Sequence, residues 1–316
     1  MKFKMIISKL LIMVFTISVL TAVPTKKVYA DAFKNVTLGA DLTAQQKEDM
    51  LKYFGVTRQE VNVQEINIDE ETKYLSGVAS EKQIGTKSIS CSYVEPTDKG
   101  GLNISVNNIY WVNESMIRNA LITAGIQNAN VKVSAPFNVS GTAALTGILK
   151  GFESSTGGKK ISEDKKKVAN EELMVTGNLG EKIGQDKAAG LINEVKKEVV
   201  KEKPKDEKAV EKIVLNVTNN YNYNLSPEDI KSITALMNKI NGLHLDFKQL
   251  KGQFNDVTSK LQATLQSDEA KNFFGKMWDS IINFFSSIFS NHSKDAKTTL
   301  GNGTDPWGHS IIKLNF

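Results

Sequence analysis

Lys87-Ser88-Ile89-Ser90-Cys91-Ser92-Tyr93-Val94 and Leu102-Asn103-Ile104-Ser105-Val106-Asn107-Asn108-Ile109-Tyr110-Trp111 flank the turn-forming stretch Thr97-Asp98-Lys99-Gly100-Gly101. Apolar and polar residues alternate in both runs, so Ile89, Cys91 and Tyr93 share one face of a strand and Leu102, Ile104 and Val106 share one face of the next. Two such runs around a glycine-rich turn predict an antiparallel hairpin. Ile109 and Trp111 fall out of phase, and a bulge near Asn107-Asn108 would restore the register. The only cysteine, Cys91, excludes an intramolecular disulfide, so the fold rests on core burial. With the apolar neighbours Ile89 and Tyr93 and no histidine near it in sequence, it reads as a buried structural thiol rather than a nucleophile.

Working outward, Thr43-Ala44-Gln45-Gln46 is a capping box that opens a helix through Leu51 and Phe54, stopped by Gly55. A strand follows around Val63 to Ile68. On the other side, Met116, Ile117, Ala120, Leu121 and Ala124 mark a helix ending at Gly125, Val131 to Ala135 is a strand, and Ser140 caps a helix of small residues. This order predicts a two-layer α+β domain over residues 31–153. Residues 154–167, with Gly157-Gly158 and five lysines, read as a linker.

Residues 168–266 carry only helical periodicity: Ala188, Leu191, Ile192, Val195 and Val199, then Val210, Ile213, Val214 and Val217. Ser226-Pro227-Glu228-Asp229 starts a helix bearing Ile230, Ile233, Met237 and Ile240, and Phe247, Leu250, Phe254, Val257 and Leu261 form a seam spaced by three and four. The fold class is therefore α+β, an N-terminal two-layer α/β domain followed by an all-helical C-terminal region. The lysine runs Lys165-Lys166-Lys167 and Lys196-Lys197 through Lys208 are offset by nearby acids and read as solvated helix faces.

Lys2, Lys4 and Lys9 precede an apolar run from Leu10 to Val23, and Val28-Tyr29-Ala30 precedes Asp31. This is the pattern of a secretory signal peptide, residues 1–30, cut after Ala30, and it places the mature protein outside the cell or in the cell envelope. The leader holds five lysines and no acid, so its removal takes the formal charge from +5 to 5 − 5 = 0. Such a chain lacks the one-sided basic surface that nucleic acid requires.

Within residues 267–290, Phe273, Phe274, Met277, Trp278, Ile281, Ile282, Phe284, Phe285, Ile288 and Phe289 fall on one half of a helix. Lys276, Asp279, Asn283 and five serines or asparagines, with Gly275, fill the other. At 1.5 Å per residue, residues 272–290 span about 28 Å, and the charged face suits lying flat over crossing a bilayer. The apolar half buries against the protein's own helices, a second copy, an envelope protein or a membrane surface. Residues 291–316 read as a loosely ordered tail.

Enzyme signatures are mostly absent from the sequence. His244, His292 and His309 form neither a His-Glu-x-x-His nor a cysteine-histidine metal pattern, and no Gly-x-Ser-x-Gly elbow or phosphate-binding glycine loop occurs. No cofactor and no metal is assigned. Ser140-Gly141-Thr142, entering a helix, is the candidate anion site, against the plainer reading that Gly141, Ala143, Ala144 and Gly147 allow close packing on a sheet. A carboxylate pair follows no spacing rule and is not locatable among 35 acids. Two functions follow: a non-catalytic secreted or envelope protein that binds through its C-terminal helix, or an extracellular hydrolase with an unlocated carboxylate site.

Val36-Thr37-Leu38-Gly39-Ala40-Asp41-Leu42, Ile84-Gly85-Thr86, Tyr93-Val94-Glu95 and Asn119-Ala120-Leu121-Ile122-Thr123-Ala124-Gly125-Ile126 resemble the YpuA-like family of secreted proteins from low-GC Gram-positive bacteria. So do Ala135-Pro136-Phe137-Asn138-Val139-Ser140-Gly141-Thr142-Ala143-Ala144-Leu145-Thr146-Gly147-Ile148 and Ala169-Asn170-Glu171-Glu172-Leu173. The resemblance covers Val36 to Ile240. It implies a secreted protein of a family with no assigned function or active site, and it stops short of residues 272–290.

Overall fold

A computed structural model describes residues 34–155, 158–219, 225–264, 301–304 and 310–313. The expected signal peptide, residues 1–30, and the segment expected to form an amphipathic helix, residues 267–290, lie outside the described residues. Five strands, β1 (Asn35–Gly39), β2 (Asn62–Ile66), β3 (Cys91–Pro96), β4 (Leu102–Val106) and β5 (Ala129–Ser134), form one mixed sheet in the order β2-β1-β3-β5-β4.

The expected hairpin does not form. β5 lies between β3 and β4, antiparallel to β3 and parallel to β4. The glycine turn is real, with Gly100 and Gly101 at positive φ, but it carries the chain past the place that β5 takes. Nor is there a bulge at Asn107-Asn108. β4 ends at Val106, and Asn108 adopts a left-handed conformation that turns the chain out of the sheet.

Helix α1 (Ala44–Phe54) has the predicted Thr43/Gln46 box and stops at left-handed Gly55. It packs Met50, Leu51 and Phe54 on Val36, Leu38, Cys91 and Tyr93. Two short helices that the sequence reading missed follow β2. α2 (Ile68–Leu75) and α3 (Glu81–Ile84) open on capping boxes of their own, Asn67/Glu70 and Ser80/Gln83. The strand expected to reach Ile68 therefore ends at Ile66.

The opposite face of the sheet is covered by α4 (Glu114–Ala124), running into Gly125, and α5 (Thr142–Ser154). α5 sits close because its inward positions are glycines. A Cβ on Gly151 would lie 2.8 Å from Val94 Cγ1, and one on Gly147 would lie 3.1 Å from Ser92 Oγ. At that distance the Thr37 hydroxyl donates to the Gly147 carbonyl at 3.0 Å.

The remaining helices are α6 (Glu163–Ile183), α7 (Gln185–Glu202), α8 (Glu207–Asn219), α9 (Pro227–Gly242) and α10 (Phe247–Thr264). Lys165, Lys166 and Lys167, read as part of the linker, lie near the start of α6, which Ser162 caps. The α+β class holds, with helices on both faces of the sheet. One hydrophobic cluster runs from Val94, Leu102 and Val131 on the sheet to Phe254 and Val257 on α10, so both halves of the sequence share a core. In the tail, β6 (Gly301–Thr304) pairs antiparallel with β7 (Ser310–Lys313), a regular element where loose order was expected.

Candidate functional site

Where β1 ends, four side chains from separate segments converge. Gly39 permits the crossing of the 88–90 segment, because a Cβ there would come within 2.3 Å of the Ser88 carbonyl oxygen. The Asp41 backbone N–H donates to that carbonyl at 3.2 Å, and the Ser88 N–H donates back to Asp41 Oδ2 at 2.7 Å. The Ser88 hydroxyl donates to Glu71 Oε1, and the Thr142 hydroxyl faces the same carboxyl and favours its charged form.

Glu71 projects inward from α2 and is 1% exposed. Burial pushes its carboxyl up to about 7, and the charge of Asp41 adds to the rise, while the Ser88 and Thr142 hydroxyls oppose it. A carboxyl that titrates near neutrality is suited to proton transfer in an open cleft. Here it is sealed, and its partners join the β1–α1 loop, α2 and the start of α5.

The predicted anion site is rearranged by this chemistry. Ser140 does not cap α5. Gly141 holds that position at φ 88° with no side-chain cap bond, and Ser140 Oγ stands 3.4 Å from Thr142 Oγ1. A Cβ on Gly141 would come within 2.4 Å of Ile109 Cγ2, so packing as well as backbone conformation demands glycine. Of Ser140, Gly141 and Thr142, only Thr142 acts on an anion, its hydroxyl favouring the charged form of Glu71.

A second buried cluster lies among the helices. Lys196 and Glu172 are both fully buried, and Lys196 Nζ reaches Glu172 Oε1 at 2.7 Å, the Asn119 carbonyl at 2.8 Å and Thr123 Oγ1 at 3.1 Å. Burial pulls the ammonium of Lys196 down, and the Glu172 carboxylate holds it up. Close by, Asn193 Nδ2 donates to the Phe254 carbonyl and the Thr258 hydroxyl donates to Glu194. Lys196, Glu194 and Glu198 are thus not part of a solvated face. Helix α7 has α4, α6 and α10 packed around it, which leaves little of its circumference for water. Burial raises the Glu198 carboxyl to about 7, with Lys201 and Lys197 opposing.

Cys91 is buried as expected, and burial lifts its thiol to about 12, which leaves it protonated and inert. Open hollows occur elsewhere, one at the end of α1 beside Arg58 and Glu60 and one between Gly77-Val78, α6 and α9. Most of their carboxylates are paired with cations, Glu48 with Arg58, Asp229 with Lys182 and Glu171 with Lys239, while Glu60 accepts from the Thr57 N–H and hydroxyl. Among the described residues, no group of three or more histidine, cysteine or acidic side chains stands close enough to hold a metal ion. Among them, too, no helix is long and apolar enough to cross a membrane.

Fold and site together define an α+β protein whose perturbed ionisable groups tie its own elements together. The chain belongs to the family described as "Protein of unknown function (DUF1002)", whose model matches residues 38–257. It is 40% identical over 257 residues to the "Uncharacterized protein YpuA" of Bacillus subtilis (strain 168), covering 81% of this chain and 88% of that one. No solved structure matches it.

Proposed function

We propose that the protein is a secreted, non-catalytic component of the cell envelope that rests on a membrane surface through residues 272–290. The observation that carries this reading is the division of that segment into an apolar half with ten large side chains and a polar half in which Lys276 and Asp279 cancel. The leader pattern of residues 1–30 supports export. The described body supports a role without catalysis, because the carboxyls raised towards neutrality, Glu71 and Glu198, and the lowered ammonium of Lys196 are sealed inside it. The hydrolase alternative has Asp41 and Glu71 as its best pair, and the burial of Glu71 beneath Ser88 and Thr142 speaks against it.

The test is vesicle co-sedimentation of residues 31–316 beside the double variant Ile281→Asp, Phe285→Asp. The unaltered chain is expected to pellet equally with zwitterionic and anionic vesicles, and the variant to remain in the supernatant with an unchanged melting temperature. If both remain in the supernatant and the variant melts lower, the segment belongs to the protein's own core and the membrane reading is wrong.

A further inference from the structure

Residues 107–112 and 136–140 leave the ends of β4 and β5 side by side and form a projecting tip. Its backbone is fixed: Tyr110 N–H donates to the Val139 carbonyl at 3.0 Å, Val139 N–H to Asn108 at 3.1 Å and Val112 N–H to Ser140 at 3.2 Å. The Asn108 side chain adds a bond to the Ala135 carbonyl at 2.8 Å. From behind, Trp111 braces the tip, donating to Glu181 at 2.8 Å with its ring against Gly177, where a Cβ would lie 2.2 Å away.

On this rigid support Tyr110 is 61% and Phe137 is 49% exposed. Neither 102–113 nor 133–149 contains a charged residue. Two large aromatic side chains are thus held out to solvent, with the nearest acids, Glu181 and Asp186, engaged behind them by Trp111 and Asn113. Tyrosine and phenylalanine bury well at the level of lipid headgroups, where a ring is half dehydrated and a phenol stays wet.

The direction of α10 connects the tip to the C-terminal segment. Gln253 bonds the Gln127 carbonyl beyond the end of α4 at 2.8 Å, and Asp256 pairs with Arg118 in its middle at 3.0 Å. α10 therefore runs antiparallel to α4, towards the end at which the tip enters that helix. Thr264 is eight residues past Asp256, about 12 Å along the axis. The chain thus leaves α10 on the side of the molecule that carries Tyr110 and Phe137.

We infer that the tip bearing Tyr110 and Phe137 is a second lipid contact, dipping into the headgroup layer of a zwitterionic membrane. The inference rests on the membrane reading above and adds the orientation of the body on that surface.

Because Cys91 is only 1% exposed, a thiol introduced at the tip can be labelled alone. Residues 31–316 with Phe137→Cys carrying an environment-sensitive NBD dye are mixed with phosphatidylcholine vesicles, with Asn103→Cys on the edge strand β4 as the reference position. The dye at 137 is expected to brighten and shift to the blue while the dye at 103 does not. The double variant Tyr110→Ser, Phe137→Ser is expected to bind vesicles about tenfold more weakly at an unchanged melting temperature. If the dye at 137 does not respond and the double variant binds normally, while Ile281→Asp, Phe285→Asp abolishes binding, the tip contact is wrong and the C-terminal anchor stands. If the unaltered chain binds no vesicles, both readings fall. If insoluble cell-wall glycan retains the unaltered chain but not the tip variant, the aromatics are a sugar platform and the lipid inference is overturned.

Discussion

The two faces of the sheet are built on different plans. On one, Val36, Leu38, Cys91 and Tyr93 meet a single helix, α1, and the cluster closes after nine buried hydrophobic residues. On the other, Val94, Val131 and Val133 begin a cluster that continues through α4, α5, α6 and α7 to Val257. The small face is assembled from residues close in sequence to β1 and β3. The large face draws in polar and charged side chains as well, since so many helices cannot meet without trapping some of them. Glu172, Lys196, Asn119 and Asn193 are all enclosed there. A perturbation of the large face should spread through the molecule, whereas one on the small face should remain local.

Removing one member of the buried ion pair gives the strongest test. Lys196→Met leaves the Glu172 carboxylate enclosed without its cation and is expected to lower unfolding free energy by about 3–5 kcal/mol in urea titration. Adding Glu172→Leu should restore much of the loss, and a double variant no better than the single one would show that the pair is not the tie between α6 and α7.

The pH dependence comes next in size. Glu71 binds its proton more tightly in the folded state, at about 7, than at the ordinary 4.5. The stability this proton brings is complete below pH 4.5 and is lost as pH rises through 7, by about 3 kcal/mol at most. Glu71→Gln should remove this part of the slope and melt above the unaltered protein at pH 8. An unchanged pH profile would mean that the carboxyl is not sealed as described.

The close approach of α5 can be broken by size alone. A Cβ at residue 151 already meets Val94 Cγ1, so Gly151→Val is expected to cost about 1–3 kcal/mol by forcing the helix off the sheet. The smallest effect is expected on the other face. Thr43→Ala removes the cap of α1 and should cost about 1 kcal/mol. Hydrogen exchange should then quicken in α1 while α5 remains protected, and equal acceleration in both would erase the distinction between the faces.

Local signals were legible where they are satisfied locally. The Thr43/Gln46 box, the stops at Gly55 and Gly125 and the Ser226-Pro227 start of α9 read correctly because caps and left-handed glycines act within a turn of themselves. The Asn67/Glu70 box before α2 is equally local, but the strand-like spacing of Val61, Val63, Ile66 and Ile68 runs across it and masks the helix start. Strand pairing was not legible. Alternation shows that 87–94 and 102–111 are strands, but it does not show that β5 comes between them, since that contact depends on the α4 crossover returning parallel to β4.

Burial of charge was hidden for the same reason. Lys196 beside Lys197 looks like a wet lysine pair until α4 and α10 close over one of them. Glu71 lies among Asp69, Glu70 and Glu71 in an acidic first turn, and only its register on α2 directs it inward. Sequence placed Thr142 at the site through its helix start; its partners Asp41, Glu71 and Ser88 come from three other segments and share no motif.

The position of β5 at the interior of the sheet also governs how the chain reaches this structure. β3 has one neighbour, β1, before it and the other, β5, some 35 residues after it, and β4 has no partner until β5 arrives. A chain emerging N-terminus first therefore holds β4 unpaired until residue 134, and the Lys196–Glu172 tie closes only after α7 is complete. Such late, long-range closure slows folding. The sheet itself can close once residue 134 has emerged, but its large face stays bare of α6 and α7 until about seventy residues more have followed.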